Sequence, residues 1–384
     1  MDTTWVRPSR EALHAWGLAA VGLVGLVVAF ATRSVVAKDA ASQVWPPFVL
    51  VAGLLLIGLV ADDDGLFAFA GHQLATLATN GFALFTGAAL LVGVVTAVLN
   101  LDTSVAFLTP VLVYAARSRG GAEAPLLYGC LLLSNAGSLF LPGSNLTNLI
   151  VLGHLRLSGA AFFSDMWAPA LAALLVTALV IGVAERRELH LRAAVQDSCE
   201  RPVLGLGLLA IVLATGLILA THSSALGVAA IGVVSVGVRI RQRKDSLRRV
   251  MDVLGVPLLV GLFGIAVALG TLGRLWSGPA HLMSHLGLWA TAGTAALTSV
   301  LVNNLPAASL LAARTPSHPF SLLVGLNLGP NLLVTGSLAW MLWYRTAQRA
   351  GANPSLRRAS LLGVIAVPLS MATALALLAS RGLS

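Results

Sequence analysis

Apolar residues run along this chain in blocks too long and too continuous for the alternating or one-faced patterns of soluble strands and helices. A membrane-crossing helix needs about 20 mostly apolar residues. Nine blocks read as crossing segments: about 13–32, 45–61, 122–152, 160–183, 204–220, 222–239, 251–273, 318–344 and 358–380. Two further apolar stretches, about 81–116 and 280–313, carry a polar interruption near the middle. They read as re-entrant hairpins that enter and leave on one side, because irregular backbone at membrane depth is tolerated only inside protein or against a polar cavity. The expected fold is an all-α polytopic membrane protein with about nine transmembrane helices and two re-entrant hairpins. The first run, Leu18–Thr32, is followed by no convincing small-residue cleavage pattern and is expected to remain as a span.

The order of blocks repeats. Residues 1–183 run span, span, hairpin, long broken span, span. A polar linker (184–203) and a connecting span (204–221) follow, and residues 222–384 repeat the order in the opposite orientation. The expected organisation is two inverted repeats, each with a hairpin and a discontinuous helix (122–152 and 318–344). Paired, polar- and Gly/Pro-interrupted apolar segments at corresponding places are the best sequence pointer to a transporter site near the bilayer midplane.

Composition agrees. Of 384 residues, 57% are hydrophobic and 10% charged, against roughly 25% charged in soluble domains. Mean hydropathy is +0.89. A water-soluble fold of this size still exposes about a quarter of its unfolded surface, which this chain cannot cover with polar groups. Its 38 glycines suit close helix packing in lipid.

The net charge of +9 would suggest nucleic acid in a soluble protein. Here the basic residues fall between apolar runs without interleaved aromatics, so no nucleic-acid partner is expected. The charge reads instead as the positive-inside signal of a multi-pass protein in the cell membrane. Arg7 and Arg10, Arg117 and Arg119, Arg186 through Arg201, Arg239 through Arg249, and Arg345 through Arg358 all fall on one face, which should be cytoplasmic together with the N-terminus. Arg33, Lys38, Arg156, Arg274 and Arg314 are scattered on the other. Trp340, Trp343 and Tyr344 lie toward a basic loop and are expected to anchor at the interface.

Enzyme chemistry finds little footing. No phosphate-binding loop is present, so the chain cannot hydrolyse ATP by that route. Cys130 and Cys199 are the two cysteines and form neither a disulfide framework nor a thiolate metal site. His281 and His285 are four apart without an acidic partner between them and read as interfacial. His72, His154, His222 and His318 fall near edges or loops. Asp62–Asp64 follows a span and reads as a solvated helix end. No metal or cofactor is expected. An intramembrane aspartyl enzyme would need a second buried carboxylate, and a passive channel would show flux without ion coupling.

Chemistry concentrates in four polar breaks. The first, LNLDTSVAFLTP, holds Asp102, a carboxylate within an apolar segment, with Asn100, Thr103 and Ser104 beside it. An ionisable group at that depth costs about 2.5–3.5 kcal/mol on insertion scales and points to function, so Asp102 is the proton-coupling candidate. The second, LSNAGSLFLPGSNLTNLIV, crowds Ser134, Asn135, Ser138, Ser144, Asn145, Thr147 and Asn148 around Gly137, Pro142 and Gly143. That is more polarity than a kink needs. The third, TSVLVNNLPAASLL, sets Asn303 and Asn304 before Pro306, where a helix can start. Capping accounts for one asparagine and leaves the other for a site. The fourth, GLNLGPNLLVTGSLAWMLW, mirrors the second, with Asn327, Asn331, Thr335 and Ser337 around Gly329, Pro330 and Gly336.

At these breaks the sequence resembles the arsenite/antimonite efflux permeases (ArsB), within a superfamily that includes sodium/dicarboxylate carriers. The stretches DTSVAFLTPVL, NAGSLFLPGSNLTNLIV, LTSVLVNNLPAASLL and LGPNLLVTGSLAWMLW carry the likeness. It implies a site where two hairpin tips meet two broken helices, and efflux of trivalent arsenic or antimony driven by an ion gradient or a partner ATPase. Asp102 matches the acidic residue of the first tip, Asn145 and Asn148 the paired asparagines of the first broken helix, and Asn303, Asn304 and Pro306 the second tip. Gly329, Pro330, Gly336 and Ser337 match the second broken helix. Relatives are commonly homodimeric. Leu101 stands where many permeases have Asn, and Asn327 where some have Asp.

The expected substrate-binding set is Asn100, Thr103, Asn135, Ser138, Gly143, Ser144, Asn145, Asn148, Asn303, Asn304, Asn327, Asn331, Gly336 and Ser337, with a proton or sodium as coupling ion. At neutral pH arsenite is an uncharged trihydroxide, which calls for neutral donors and acceptors. A dicarboxylate calls for Arg or Lys, and none lies within the breaks. Transport of another small anion and sodium/proton exchange stay open.

Overall fold

A computed structural model describes residues 10–153, 155, 157–189, 205–221, 223–242 and 246–383, with side chains from Trp16 onward. The linker residues 190–204 with Cys199, and Arg7, His154, Arg156, His222, Arg243 and Lys244, lie outside the described residues.

Every regular element described is helical. In order they are α1 (Arg10–Asp63), α2 (Leu66–Leu77), α3 (Gly81–Val98), α4 (Leu101–Ser118), α5 (Ala124–Gly137), α6 (Leu146–Leu152), α7 (Gly159–Ala184), α8 (Leu206–Ala220) and α9 (Ala225–Arg241). Then come α10 (Leu247–Leu254), α11 (Val256–Leu275), α12 (Gly278–His285), α13 (Leu288–Val302), α14 (Asn304–Leu311), α15 (Pro319–Leu328), α16 (Leu338–Arg349) and α17 (Leu356–Ser380). Among the described residues, five stretches are long and apolar enough to cross a membrane: Trp16–Asp63, Gly81–Val98, Gly159–Ala184, Leu247–Leu275 and Leu356–Ser380. α1 is two helices joined at Arg33, whose backbone leaves the helical region. The polar stretch after Arg33, between the first two expected spans, is helical up to the second. Three short helices, α2, α10 and α12, were not legible as separate elements, because each continues or follows an apolar run without a clear break in pattern.

Discontinuity falls where the polar breaks are. α3 gives way to α4 at Leu99 and Asn100, and α13 to α14 at Asn303. α5 and α6 are separated by a short stretch with one 3-10 turn (Pro142–Ser144), and α15 and α16 by another (Gly329–Leu332). Arg119, just past α4, donates to the carbonyl of Ala78, just before α3, at 2.8 Å. The α3–α4 pair therefore starts and finishes at one end of the molecule. Arg314, beyond α14, donates to the carbonyl of Arg274 at the end of α11, four residues before α12 begins.

Packing is close where side chains are absent. A Cβ on Gly264 of α11 would overlap the carbonyl oxygen of Gly22 on α1, so the two helices touch through backbone. A Cβ on Gly363 of α17 would overlap the carbonyl of Asn331 in the fourth break. Small residues let helices approach this way when dispersion, not water, drives association.

The basic end is tied by ion pairs. Arg239 of α9 pairs with Asp64 just past α1, and Asp64 also accepts the Gly207 N–H of α8 at 2.7 Å. Arg249 pairs with Asp62 and Asp63, and Arg358 with Glu185 at 2.7 Å. This corrects the reading of Asp62–Asp64 as a solvated cap: Asp64 is buried, 7% exposed, and joins three helices. The aromatic assignment also changes. Trp340 and Trp343 are fully buried and donate to the carbonyls of Pro330 and Leu127. They brace the fourth break against α5, while Tyr344 is partly buried.

Removing one partner of a buried pair leaves the other charge uncompensated, at about 3–5 kcal/mol. Asp64→Ala is therefore expected to melt well below wild type in detergent. Glu185→Ala, whose Arg358 partner is half exposed, should lose much less; equal losses would place the Asp64 pair in a solvated setting.

Candidate functional site

Four helices begin around one small cavity. Its lining includes Leu101 and Asp102 at the start of α4, Asn145 and Leu146 at the start of α6, Asn303 and Asn304 at the start of α14, and Ser337 and Leu338 at the start of α16. Leu262 of α11, Leu305 and Ala339 complete it. The cavity holds about 30 Å³, room for a couple of water-sized groups. Helix N-termini carry unsatisfied N–H groups and partial positive charge. Four of them directed at one space favour electron-rich oxygen there.

Asparagines cap three of the four starts. Asn100 accepts from the Thr103 N–H at 2.7 Å, Asn145 from Thr147 at 3.2 Å and Asn303 from Leu305 at 3.4 Å. Ser337, at the fourth, has a buried hydroxyl without a partner. Asn303 alone among the described non-glycine residues has a positive φ (77°, with ψ 150°). That region is strained for any residue with a Cβ, and such strain gathers at ligand sites. The Asn304 N–H donates to the Gly336 carbonyl at 2.9 Å, so the second hairpin tip is fastened to the second broken helix. Thr335 donates to Val300 at 2.7 Å and reinforces the same junction. The Asp102 carboxylate lines the cavity and has no hydrogen-bond or ion-pair partner among the described residues.

A second polar layer lies behind the cavity and joins the two broken helices. Asn327 uses its whole carboxamide. Its oxygen accepts from Ser138 at 2.5 Å and Asn145 at 2.8 Å, and its nitrogen donates to Asn148 at 2.8 Å and the Leu323 carbonyl at 2.8 Å. Asn135 donates to Asn331 at 2.8 Å, and Asn331 to the Leu132 carbonyl at 3.0 Å. Asn148 also donates to the carbonyls of Ser138 and Leu141 left free by the break.

The residues singled out in the sequence therefore divide. Asp102, Asn145, Asn303, Asn304 and Ser337 reach the cavity. Asn135, Ser138, Asn148, Asn327 and Asn331 hold one another, with Asn145 bridging the two layers. Asn100 and Thr103 stand behind the first tip with a carboxamide nitrogen and a hydroxyl unpaired. Ser144 donates to the carbonyl of Ala97 at 2.9 Å, joining the second break to α3. Gly143 lies under Leu50 and Ile218, and Gly336 contributes its carbonyl to the second tip. Sequence reasoning missed Leu262 and the apolar lining, since an apolar residue in an apolar helix carries no signal of its own. His281 and His285 stand on α12, away from the cavity, with rings 4.2 Å apart. No group of three or more metal-ligating side chains occurs among the described residues.

Residues 10–344 match the profile of the citrate transporter family, CitMHS. The chain belongs to that family. It is a multi-pass membrane transporter and not an enzyme. Arsenical pump membrane proteins of Escherichia coli and Yersinia enterocolitica are each 23% identical to it over 334 residues, 78% of this chain and 78% of theirs. The resemblance to arsenical permeases is thus a distant kinship. The crystal structure of the Alcanivorax borkumensis YdaH transporter superposes with a TM-score of 0.58 at 16% identity, covering 90% of this chain and 88% of that one. At that identity the likeness shows the fold.

The strain at Asn303 can be measured. Glycine and alanine both lose the capping oxygen, and only alanine keeps a Cβ in the strained region. Asn303→Gly is expected to melt close to wild type, and Asn303→Ala lower by about 1–3 kcal/mol. Equal melting of the two variants would mean that the backbone at this tip carries no strain.

Proposed function

We propose that the chain exports arsenite or antimonite as a proton-coupled secondary transporter, with the substrate at the cavity where the four helix starts meet. The observation that carries this reading is the character of the lining. Apart from Asp102 it is neutral, with the carboxamides of Asn145, Asn303 and Asn304 and the hydroxyl of Ser337 as its polar groups. A trihydroxide needs donors and acceptors in this mixture. Citrate, with up to three negative charges, would meet the Asp102 carboxylate and no Arg or Lys.

In this reading the molecule is two inverted repeats. The pairs α3–α4 and α13–α14 are re-entrant hairpins, and α5–α6 and α15–α16 are discontinuous helices. The hairpins, the broken helices, α7 and α17 move as a unit against a frame of α1, α8, α9 and α11. The basic loops face the cytoplasm. Asp102 takes up a proton on the outer side and releases it inside, exchanging proton entry for substrate exit.

A second reading has one specific observation behind it. Four N-termini around one cavity can hold a small anion without a basic side chain, so sodium- or proton-coupled transport of a small oxyanion is the competitor.

Inverted membrane vesicles containing the protein decide between them. Arsenite should accumulate when an inward-acid proton gradient is imposed, with Asn145→Ala lowering the rate and Asp102→Asn abolishing the gradient dependence. Gradient-driven accumulation that survives Asp102→Asn would remove the proton-coupling role. Absence of arsenite flux in inserted, folded protein, with flux of a small oxyanion, would favour the competitor.

A further inference from the structure

At the end of the molecule opposite the basic loops, one side chain joins four helices. Gln43 of α1 donates from its Nε2 to the carbonyl of Ile150 in α6 at 2.8 Å and of Ala312, just past α14, at 3.2 Å. Its Oε1 accepts from Arg274 of α11 at 2.6 Å. Arg274 is itself held by the Gly270 carbonyl at 2.9 Å. The partners settle the orientation of the amide, since two carbonyls require the nitrogen and a guanidinium requires the oxygen. Gln43 therefore fastens the outer ends of the first broken helix and the second hairpin to α1 and α11.

α6 is also packed there, with Ile150 and Val151 buried in the core. It has seven residues, and the last carbonyls of a helix need partners from outside it. Beside it lies a cavity of about 220 Å³ between α1, α6 and the α8–α9 turn, lined by Gln43, Pro46, Leu149, Leu152 and Thr221 among others. On that side the outer end of α6 borders open space, and the hydrogen bond from Gln43 to Ile150 adds a directed tie to the packing of Ile150 and Val151 away from the cavity.

The basic end is built differently. There the ends of the first hairpin and the second broken helix are joined by Arg117 at the end of α4, which donates to the carbonyls of Ala350 and Gly351 at 2.9 Å each. That bond comes from within the pair it joins, whereas the bond at the opposite end comes from the frame.

We propose that Gln43, held by Arg274, is a positioning residue of the transport cycle: a latch that fixes α6 and α14 against α1 and α11 in this state and must release for the site to change sides. The inference rests on the alternating-access reading. It adds a residue outside the four polar breaks and a cavity into which α6 can move.

Hydrogen exchange followed by mass spectrometry on the full chain in nanodiscs tests it without any substrate. Peptides covering α6 and α14 are expected to exchange about tenfold faster in Gln43→Ala than in wild type, the order that two lost hydrogen bonds carry. Peptides from α7 and α17 should keep their rates. Gln43→Glu retains the acceptor for Arg274 and loses the donor to both carbonyls, so it should release the same two segments. Wild-type exchange of α6 and α14 in both variants would overturn the latch. An equal rise in α7 and α17 would also overturn it, making Gln43 a residue of general stability. In vesicles, Gln43→Ala should change the maximal rate by about threefold or more while half-saturation moves by less than about twofold. Unchanged maximal rate would sink the role in the cycle. If vesicles show no arsenite flux while the exchange contrast persists, the substrate assignment fails and the latch stands.

Discussion

Backbone polar groups have no water to turn to inside a bilayer, and this constraint organises the whole molecule. A continuous helix meets it internally; a broken one cannot. Each interruption here frees carbonyls and N–H groups that side chains must satisfy. Asn148 serves the carbonyls of Ser138 and Leu141, and Trp340 that of Pro330. The asparagine-rich character of the breaks follows from this need before any substrate is considered. A carboxamide offers a donor and an acceptor at neutral charge, so it can repair both kinds of loose end without a buried ion.

The same repair creates the site. With the chain interrupted at four places, four helix starts face one space, and their dipoles make it hospitable to oxygen. Asn327 gives this arrangement rigidity by spending all four of its hydrogen-bonding positions on the opposite broken helix and its own turn. Asn145 belongs to both layers, capping α6, bonding Asn327 and lining the cavity. The outer layer is left with unpaired groups: the Asp102 carboxylate and the Ser337 hydroxyl. Unpaired polar groups at a cavity are the arrangement expected where a ligand completes the bonding.

Electrostatics separates the ends from the middle. Ion pairs gather at the basic end, where Asp64, Asp62, Asp63 and Glu185 meet Arg239, Arg249 and Arg358. The pairs join α1 to α9 and α10, and the end of α7 to α17. At the cavity the side chains are neutral apart from Asp102. A lone carboxylate among amides can change its charge without breaking a salt bridge, which suits a group that carries a proton through a cycle.

Much was legible before any coordinates. Block length and hydropathy determine that this chain lives in lipid, because no soluble surface could cover 57% hydrophobic residues. The polar interruptions at Asn100–Thr103, Gly137–Asn148, Asn303–Pro306 and Gly329–Ser337 mark the breaks, because such residues are too costly at membrane depth to be placed idly. Tertiary structure alone decided which of them look at the cavity and which look at each other. An asparagine that lines a site and one that binds a neighbouring helix have the same sequence signature, and only the rotation of each helix tells them apart. It alone also buried Asp64, Trp340 and Trp343, which sit where the pattern suggests water or headgroups. Gln43 carried no signal at all: it sits in a polar stretch between apolar runs, and its three partners lie 107, 231 and 269 residues away. Contacts at that separation are set by how the helices stack, which the local pattern of apolar and polar residues does not encode.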